Sequence, residues 1–132
     1  ENIEFKKQQD IELGKAEILK EGQDVSIIAI GKKVADAMKI AEQFEEEGIK
    51  AEVINARFLK PLDEETIKKS IEKTKNVITI EDGTKINGLG TAIEELIVEN
   101  DLQNVKFEKQ AWPDEFLKQC TEWKWPQKNK QN

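Results

Sequence analysis

The chain has 132 residues, of which 36% are charged, and a formal net charge of −6 at pH 7. This length suits one domain with its own hydrophobic core, and the negative charge argues against nucleic acid and anionic membranes as partners. The absence of histidine excludes Ser-His-Asp triads, Cys-His pairs and the commonest metal ligand.

The thiol content and the first residue indicate the setting of the chain. Cys120 is the only cysteine, so no disulfide can form within the chain, which favours a reducing compartment and a cytoplasmic location. No apolar run approaches the roughly 18 residues of a membrane span. Because the chain begins with Glu1 and its only methionine is Met38, we expect it to be a piece of a longer protein.

The N-terminal part predicts a linker followed by two strands. Residues 1–10 are polar, which predicts a frayed or interdomain linker. The stretch IELGKAEILKEGQDVSIIAIG then predicts a strand, a turn that contains Gly22, and a second strand. Residues 25–30 are almost continuously apolar, which is typical of a parallel strand buried on both faces.

The middle of the chain predicts a helix, a strand and a second helix. The first helix ends at Gly48, and five apolar residues share one of its faces: Val34, Ala37, Met38, Ala41 and Phe44. Residues 51–56 predict the second buried strand. Asp63 is a good N-cap for the next helix, and Glu64 and Glu65 complement its dipole.

The last third predicts two strands, a helix between them, and a terminal turn. Residues 76–80 predict the third buried strand, and residues 105–110 predict the last strand. The helix between them has five apolar residues on one face: Ile86, Leu89, Ile93, Leu96 and Ile97. Residues 112–119 predict a short helix or turn.

Alternation of strands and helices predicts an α/β fold. We expect a three-layer, Rossmann-like sandwich with a mostly parallel sheet of about five strands and one antiparallel edge strand. The predicted domain covers residues 11–121. The tail, residues 122–132, is too polar to pack and is predicted to be disordered.

The stretch EDGTKINGLGTAI (residues 81–93) matches parts of two nucleotide-binding motifs and completes neither. A dinucleotide fingerprint has three glycines in the pattern G-x-G-x-x-G, and Ile93 stands at the third position. A phosphate loop has a lysine after its last glycine, and Leu89 stands there. We therefore interpret Gly88 and Gly90 as a structural glycine turn that permits close approach of helix and strand.

Charged residues follow two of the predicted strands. Glu81 and Asp82 stand at the carboxyl end of the third strand, where they would repel a pyrophosphate unless a metal intervened. Arg57, the only arginine, follows the second strand. If these strands are close, Arg57 pairs with Glu81 or Asp82. Two roles stay open for these residues, a structural ion pair that fixes two loops, or an active-site rim or interdomain contact.

Several longer stretches resemble the C-terminal domain of the 1-deoxy-D-xylulose-5-phosphate synthase family, which are transketolase-like thiamine diphosphate enzymes. NARFLKPLDEE (residues 55–65) resembles its strand end and K-P-L-D block. Residues 13–31 resemble its hairpin and first parallel strand. Residues 77–97 resemble its strand, acid pair, glycine turn and helix, although Asn87 replaces the first of two glycines. WPDEF (residues 112–116) resembles its L-P-D-x-F turn.

The resemblance implies a transketolase C-terminal-like domain without a catalytic set of its own. The full-length enzymes use thiamine diphosphate and Mg²⁺ to condense pyruvate with glyceraldehyde 3-phosphate, with loss of CO2, which feeds isoprenoid and thiamine biosynthesis. Their preceding domains hold the cofactor, whose motifs are missing from this sequence. The resemblance therefore implies a scaffold and contact domain, with the preceding domains and a second copy in a homodimer as partners, and with no catalytic, cofactor-binding or metal residue here.

Two alternatives stay open. The chain could be the C-terminal domain of another thiamine diphosphate enzyme, such as a transketolase or a 2-oxo acid dehydrogenase beta subunit. It could also be a non-enzymatic α/β module that binds a ligand or a partner.

Overall fold

The structure, a computed structural model, describes residues 13–81 and 88–110. Within these residues the chain forms the following elements in order: β1 (Glu17–Lys20), β2 (Val25–Ala29), α1 (Lys33–Glu46), β3 (Ala51–Asn55), α2 (Glu64–Thr74), β4 (Asn76–Ile80), α3 (Leu89–Glu99) and β5 (Lys106–Gln110). In the described part of the chain, no helix has the length and apolar character needed to cross a membrane.

The five strands form one sheet in the order β1-β3-β2-β4-β5. Strands β2 to β5 are parallel, and β1 pairs antiparallel with β3 at the edge. This arrangement confirms the predicted α/β fold with one antiparallel edge strand. The expected hairpin of the first two strands is wrong, since β2 pairs with β3 on one side and β4 on the other, so β1 lies on the outer side of β3.

Both faces of the sheet are covered, which gives three layers. Alternate residues of β2 face opposite sides, so Val25 and Ile27 pack with α1, while Ile28 packs with α2 and α3. Every residue of β2 and of β4 is buried. The fully buried strands predicted from continuous apolar runs are therefore confirmed, and so is the three-layer arrangement.

The helix ends follow from local sequence. Gly48 lies just beyond the end of α1 with a φ of 83°, a conformation that glycine adopts without steric cost. Asp63 precedes α2, and its side chain accepts a hydrogen bond from the Thr66 backbone N–H at 3.2 Å. The predicted Asp63 cap is confirmed, whereas the C-cap of α1 is Glu47 and the predicted Gly48 directly follows it. Ile86 and the predicted turn over residues 112–119 lie outside the described residues.

Two buried polar groups connect the sheet to α2. The Ser26 hydroxyl on β2 lies 2.6 Å from the Ser70 hydroxyl and 2.7 Å from the Thr74 hydroxyl. Glu52 on β3 is buried, and its carboxylate accepts hydrogen bonds from Lys73 Nζ at 2.5 Å and from the Gly22 N–H at 3.1 Å. Because buried polar groups destabilise a fold unless they are paired, these bonds restrict how α2 can sit on the sheet.

Gly22 brings the turn between β1 and β2 into contact with the start of β3. A Cβ at this position would lie 2.6 Å from Ala51 O and 2.7 Å from Lys50 O, which are backbone atoms that cannot move aside freely. Asp24, two residues after Gly22, forms two hydrogen bonds with Lys50. Its backbone N–H donates to the Lys50 carbonyl, and its carboxylate accepts a bond from the Lys50 backbone N–H. The turn can therefore take this position only with a glycine at residue 22.

We expect Gly22→Ala to lower the free energy of unfolding by about 3 kcal/mol, because overpacking against backbone must displace the turn or β3. Gly31→Ala is the matched control. Gly31 has a φ of 64°, and a Cβ added there would have no atom within 4 Å, so its substitution should cost only about 1 kcal/mol of backbone strain. Urea unfolding of both variants measures the difference, and equal costs would contradict the close-approach explanation.

Candidate functional site

The carboxyl edge of the parallel strands is the candidate site, because ligands of open α/β sheets bind at this edge. Asn55 and Ile80 end β3 and β4 there, and α2 and α3 begin there. The candidate residues Arg57 and Glu81 follow these two strand ends.

Arg57 is bound to the edge strand rather than to the acids after β4. Its guanidinium Nη2 lies 2.8 Å from Oε1 of Glu17 on β1, and its backbone N–H donates to Asn55 Oδ1 at 3.0 Å. Arg57 has a φ of 64°, an uncommon conformation for a residue with a side chain. The residue with this backbone conformation therefore also forms the ion pair that connects β1 to the end of β3.

The predicted pairing of Arg57 with Glu81 is wrong, because each side chain has another partner. Strand β2 lies between β3 and β4 in the sheet, so the two strand ends are not adjacent. The alternative partner, Asp82, lies outside the described residues.

Glu81 occupies the start of α3. Its Oε1 accepts a hydrogen bond from the Leu89 N–H at 2.7 Å, and its Oε2 accepts one from the Gly90 N–H at 2.8 Å. The first backbone N–H groups of a helix have no partner within the helix and attract anions. The Glu81 carboxylate therefore occupies the position that a bound phosphate takes at other helix N-termini.

Gly88 and Gly90 leave room for this carboxylate. A Cβ on Gly88 would collide with Glu81 Oε1, and a Cβ on Gly90 would lie 3.1 Å from Glu81 Oε2 and collide with the Lys109 side chain. The predicted glycine turn includes residues 82–87, which lie outside the described residues, so its shape stays a prediction. The two glycines permit the approach of Glu81 to the helix.

Asp63 has a second role that the sequence does not reveal. Besides capping α2, its Oδ2 accepts hydrogen bonds from the Ala16 N–H at 2.8 Å and from the Thr66 hydroxyl at 2.7 Å. Burial opposes ionisation of Asp63, but the hydrogen bonds from Ala16 and Thr66, with the charge of Lys15, outweigh it and lower the pKa of this carboxyl. No local signal identifies Ala16 as a partner, since it lies 47 positions away.

A groove of about 670 Å³ lies between the segment of residues 59–64 and α3. Leu59, Leu62 and Leu96 contribute apolar surface to it. Glu64, Glu95 and Glu99 also line it, together with Lys60. We call this the acidic groove.

The charged groups at the carboxyl edge have partners within the domain. Glu81 and Asp63 cap helices, and Arg57 forms an ion pair. In residues 13–81 and 88–110, no three or more Cys, Asp or Glu side chains are grouped so that they could hold a metal ion. Cys120 and the three tryptophans lie outside the described residues.

Comparison with known proteins shows a family and several relatives. Residues 14–121 match the family described as "Transketolase, C-terminal domain". The 1-deoxy-D-xylulose-5-phosphate synthase of Halothermothrix orenii is 49% identical over 107 residues, 81% of this chain. The synthase of Syntrophus aciditrophicus is 41% identical over 112 residues, 85% of this chain. The chain spans 17% of the length of each of these relatives.

Two solved structures have a similar fold. One, titled a split gene transketolase, inactive beta4 tetramer, has a TM-score of 0.69 and 38% identity, and the match covers 75% of this chain and 32% of that chain. The other, a 2-oxoglutarate:ferredoxin oxidoreductase from Magnetococcus marinus, has a TM-score of 0.58 and 16% identity over 92% of this chain and 21% of its own. The second likeness concerns the fold alone.

We expect Asp63→Asn to lower the free energy of unfolding by about 1 kcal/mol near neutral pH, because the amide keeps a cap but loses charge-assisted bonds. The folded-state pKa of Asp63 lies below the unfolded value of about 3.9. The carboxylate's contribution is therefore complete above that value and is lost as the pH falls through the folded-state pKa. Urea unfolding at decreasing pH should show the two proteins converging in stability.

Glu45→Gln is the control for this experiment. A hydrogen bond from Lys20 lowers the pKa of Glu45, a carboxyl on α1 that lies on the opposite face of the sheet from α2. As the pH falls, the Glu45→Gln variant should still lose the part of its free energy of unfolding that is due to Asp63. Stability curves of the unmodified chain and Asp63→Asn that stay parallel down to strong acid would contradict the role of Asp63.

Proposed function

We propose that this chain, which belongs to the family of transketolase C-terminal domains, serves as the C-terminal domain of a 1-deoxy-D-xylulose-5-phosphate synthase. The observation that carries the proposal is the 49% identity to such a synthase over 107 residues, which are 17% of that relative's length. The five-stranded fold and the 38% identical transketolase structure support the same family.

In this proposal the whole enzyme condenses pyruvate with glyceraldehyde 3-phosphate with loss of CO2. Thiamine diphosphate and Mg²⁺, held by the preceding domains, would supply the chemistry of decarboxylation. The present chain contributes a rigid scaffold, contacts those domains, and takes part in a homodimer in the cytoplasm. The charged residues Arg57, Asp63 and Glu81 of this chain form bonds within the domain.

The described residues do not fit a diphosphate and its metal ion. The N-terminus of α3 has the geometry of an anion site, but the Glu81 carboxylate already accepts the two N–H groups there. A diphosphate at that position would meet a like charge. No group of metal-ligating side chains accompanies it within the described ranges, so we assign no step of the reaction to this chain.

We further propose that Arg57 and Glu81 act structurally in the parent enzyme. Arg57 connects β1 to the end of β3 through Glu17, and Glu81 holds the start of α3. Their charged groups are therefore bound to this domain and are not directed to a substrate. Asp82 is proposed as the remaining candidate for an interdomain contact or the rim of the active site.

The isolated chain should neither bind thiamine diphosphate nor turn over pyruvate, because its described residues offer no diphosphate or metal site. Isothermal titration with thiamine diphosphate and Mg²⁺ is expected to show no binding heat, and a pyruvate assay no consumption. The full-length parent enzyme, titrated in the same buffer, is the positive control. Clear heat at micromolar affinity for the isolated chain would contradict the assignment of cofactor binding to the preceding domains.

In the full-length parent, Arg57→Ala should reduce stability by about 1 kcal/mol, as expected for a partly exposed ion pair, and leave kcat/KM unchanged. Glu17→Ala is the matched variant, because it removes the other half of the pair. The double variant should cost less than the sum of the single ones. A fall in kcat/KM on replacing Arg57, with Glu17→Ala silent, would instead place Arg57 at the rim of the active site.

A further inference from the structure

We propose that the C-terminal tail of this chain, residues 122–132, binds in the acidic groove between residues 59–64 and α3. The residues that line the groove include three leucines, three glutamates and one lysine. A segment that combines apolar side chains with positive charge would complement this lining.

The charges on α3 leave an electrostatic need that a cationic segment would meet. Glu95 and Glu99 lie four positions apart on α3, where like charges repel. Glu99 also lies in the last turn, at the negative end of the helix dipole, and no basic residue accompanies it in that turn. An ammonium group beside these two carboxylates would remove both unfavourable interactions.

Apolar surface continues beside the groove. Val98 is 76% exposed, and it lies between the same two glutamates in an adjacent shallow cleft. On the outward face of α3, Val98 is thus flanked by Glu95 and Glu99. A binding segment could cover Val98 while placing its cations on Glu95 and Glu99.

The tail has this combination of residues. Its sequence, EWKWPQKNKQN, places Trp123 and Trp125 among three lysines, with Glu122 as its one acid. The polarity that predicts disorder for the tail is thus mostly positive charge and amide groups. The prediction of disorder assumes that the tail would have to form a core of its own, which binding in the groove does not require. Its positive charge complements the glutamates of the groove.

The tail can reach the groove within the same molecule. Strand β5 runs parallel to β4 and ends at Gln110, at the edge of the sheet where α3 begins. The dozen residues from Gln110 to Glu122 extend up to about 40 Å, and α3, which lines the groove, is about 16 Å long. A second copy is therefore not required.

The three tryptophans report on this binding, because all of them follow β5 in the sequence. In the full chain with Trp112→Phe, the remaining emission comes from Trp123 and Trp125. We compare acrylamide quenching in this background with that of Glu95→Lys/Glu99→Lys. Glu42→Lys/Glu46→Lys on α1 is the matched control, since these exposed glutamates are also four positions apart, on the opposite face of the sheet.

The proposal predicts that acrylamide quenches the tryptophans of the background protein less in buffer than in urea. In Glu95→Lys/Glu99→Lys, quenching in buffer should rise to the level measured in urea. The α1 control should keep the shielding. Adding Lys124→Glu/Lys128→Glu to the α3 variant should restore it, and about 1 M salt, which shortens the screening length to about 3 Å, should weaken it without any substitution.

Three results would overturn the proposal. Tryptophans as accessible in the background protein as in urea would show that the tail is not bound. Equal effects of the α1 and α3 variants would show that net charge, and not the groove, controls the quenching. Shielding that depends on protein concentration would assign the groove to the tail of a second copy. Circular dichroism confirms that each variant is folded.

Discussion

Burial of both faces of the sheet is the constraint on which the rest of the structure depends. Every residue of β2 and β4 is buried, so apolar helices have to cover the two sides, with α1 on one and α2 and α3 on the other. Polar side chains within the covered strands, such as Ser26 on β2 and Glu52 on β3, are buried and form hydrogen bonds with α2. Three other charged residues, Arg57, Asp63 and Glu81, lie at the carboxyl edge.

At that edge the charged groups are satisfied within the domain. Glu81 fills the anion position of α3, Asp63 connects the start of α2 to Ala16, and Arg57 is bound to Glu17. In enzymes of this general plan the same edge holds a ligand. Here the carboxylate of Glu81 replaces the phosphate, and Gly88 and Gly90 provide the space for it. This internal use of the charges supports the proposal that the chain serves as a supporting domain.

Local features were predictable, and partners distant in sequence were not. The Asp63 cap and the bounds of β4 follow from neighbouring residues, since capping and continuous apolar runs act over a few positions. The Arg57–Glu81 pairing failed because it required a strand order, and β2 separates the two strands. The glycine pattern indicated a structural turn, but nothing in it showed that Glu81 would lie against the two glycines.

The sequence by itself determined the α/β class, the nature of each described element and the family of the domain, because periodicity, caps and the K-P-L-D block are written in contiguous residues. The tertiary structure alone decided the position of β1 beside β3, the partners of Arg57, Glu81 and Asp63, and the acidic groove. These features arise where segments far apart in the chain meet. These tertiary contacts depend on how the described helices and strands pack around the sheet, and no short stretch of residues encodes that packing.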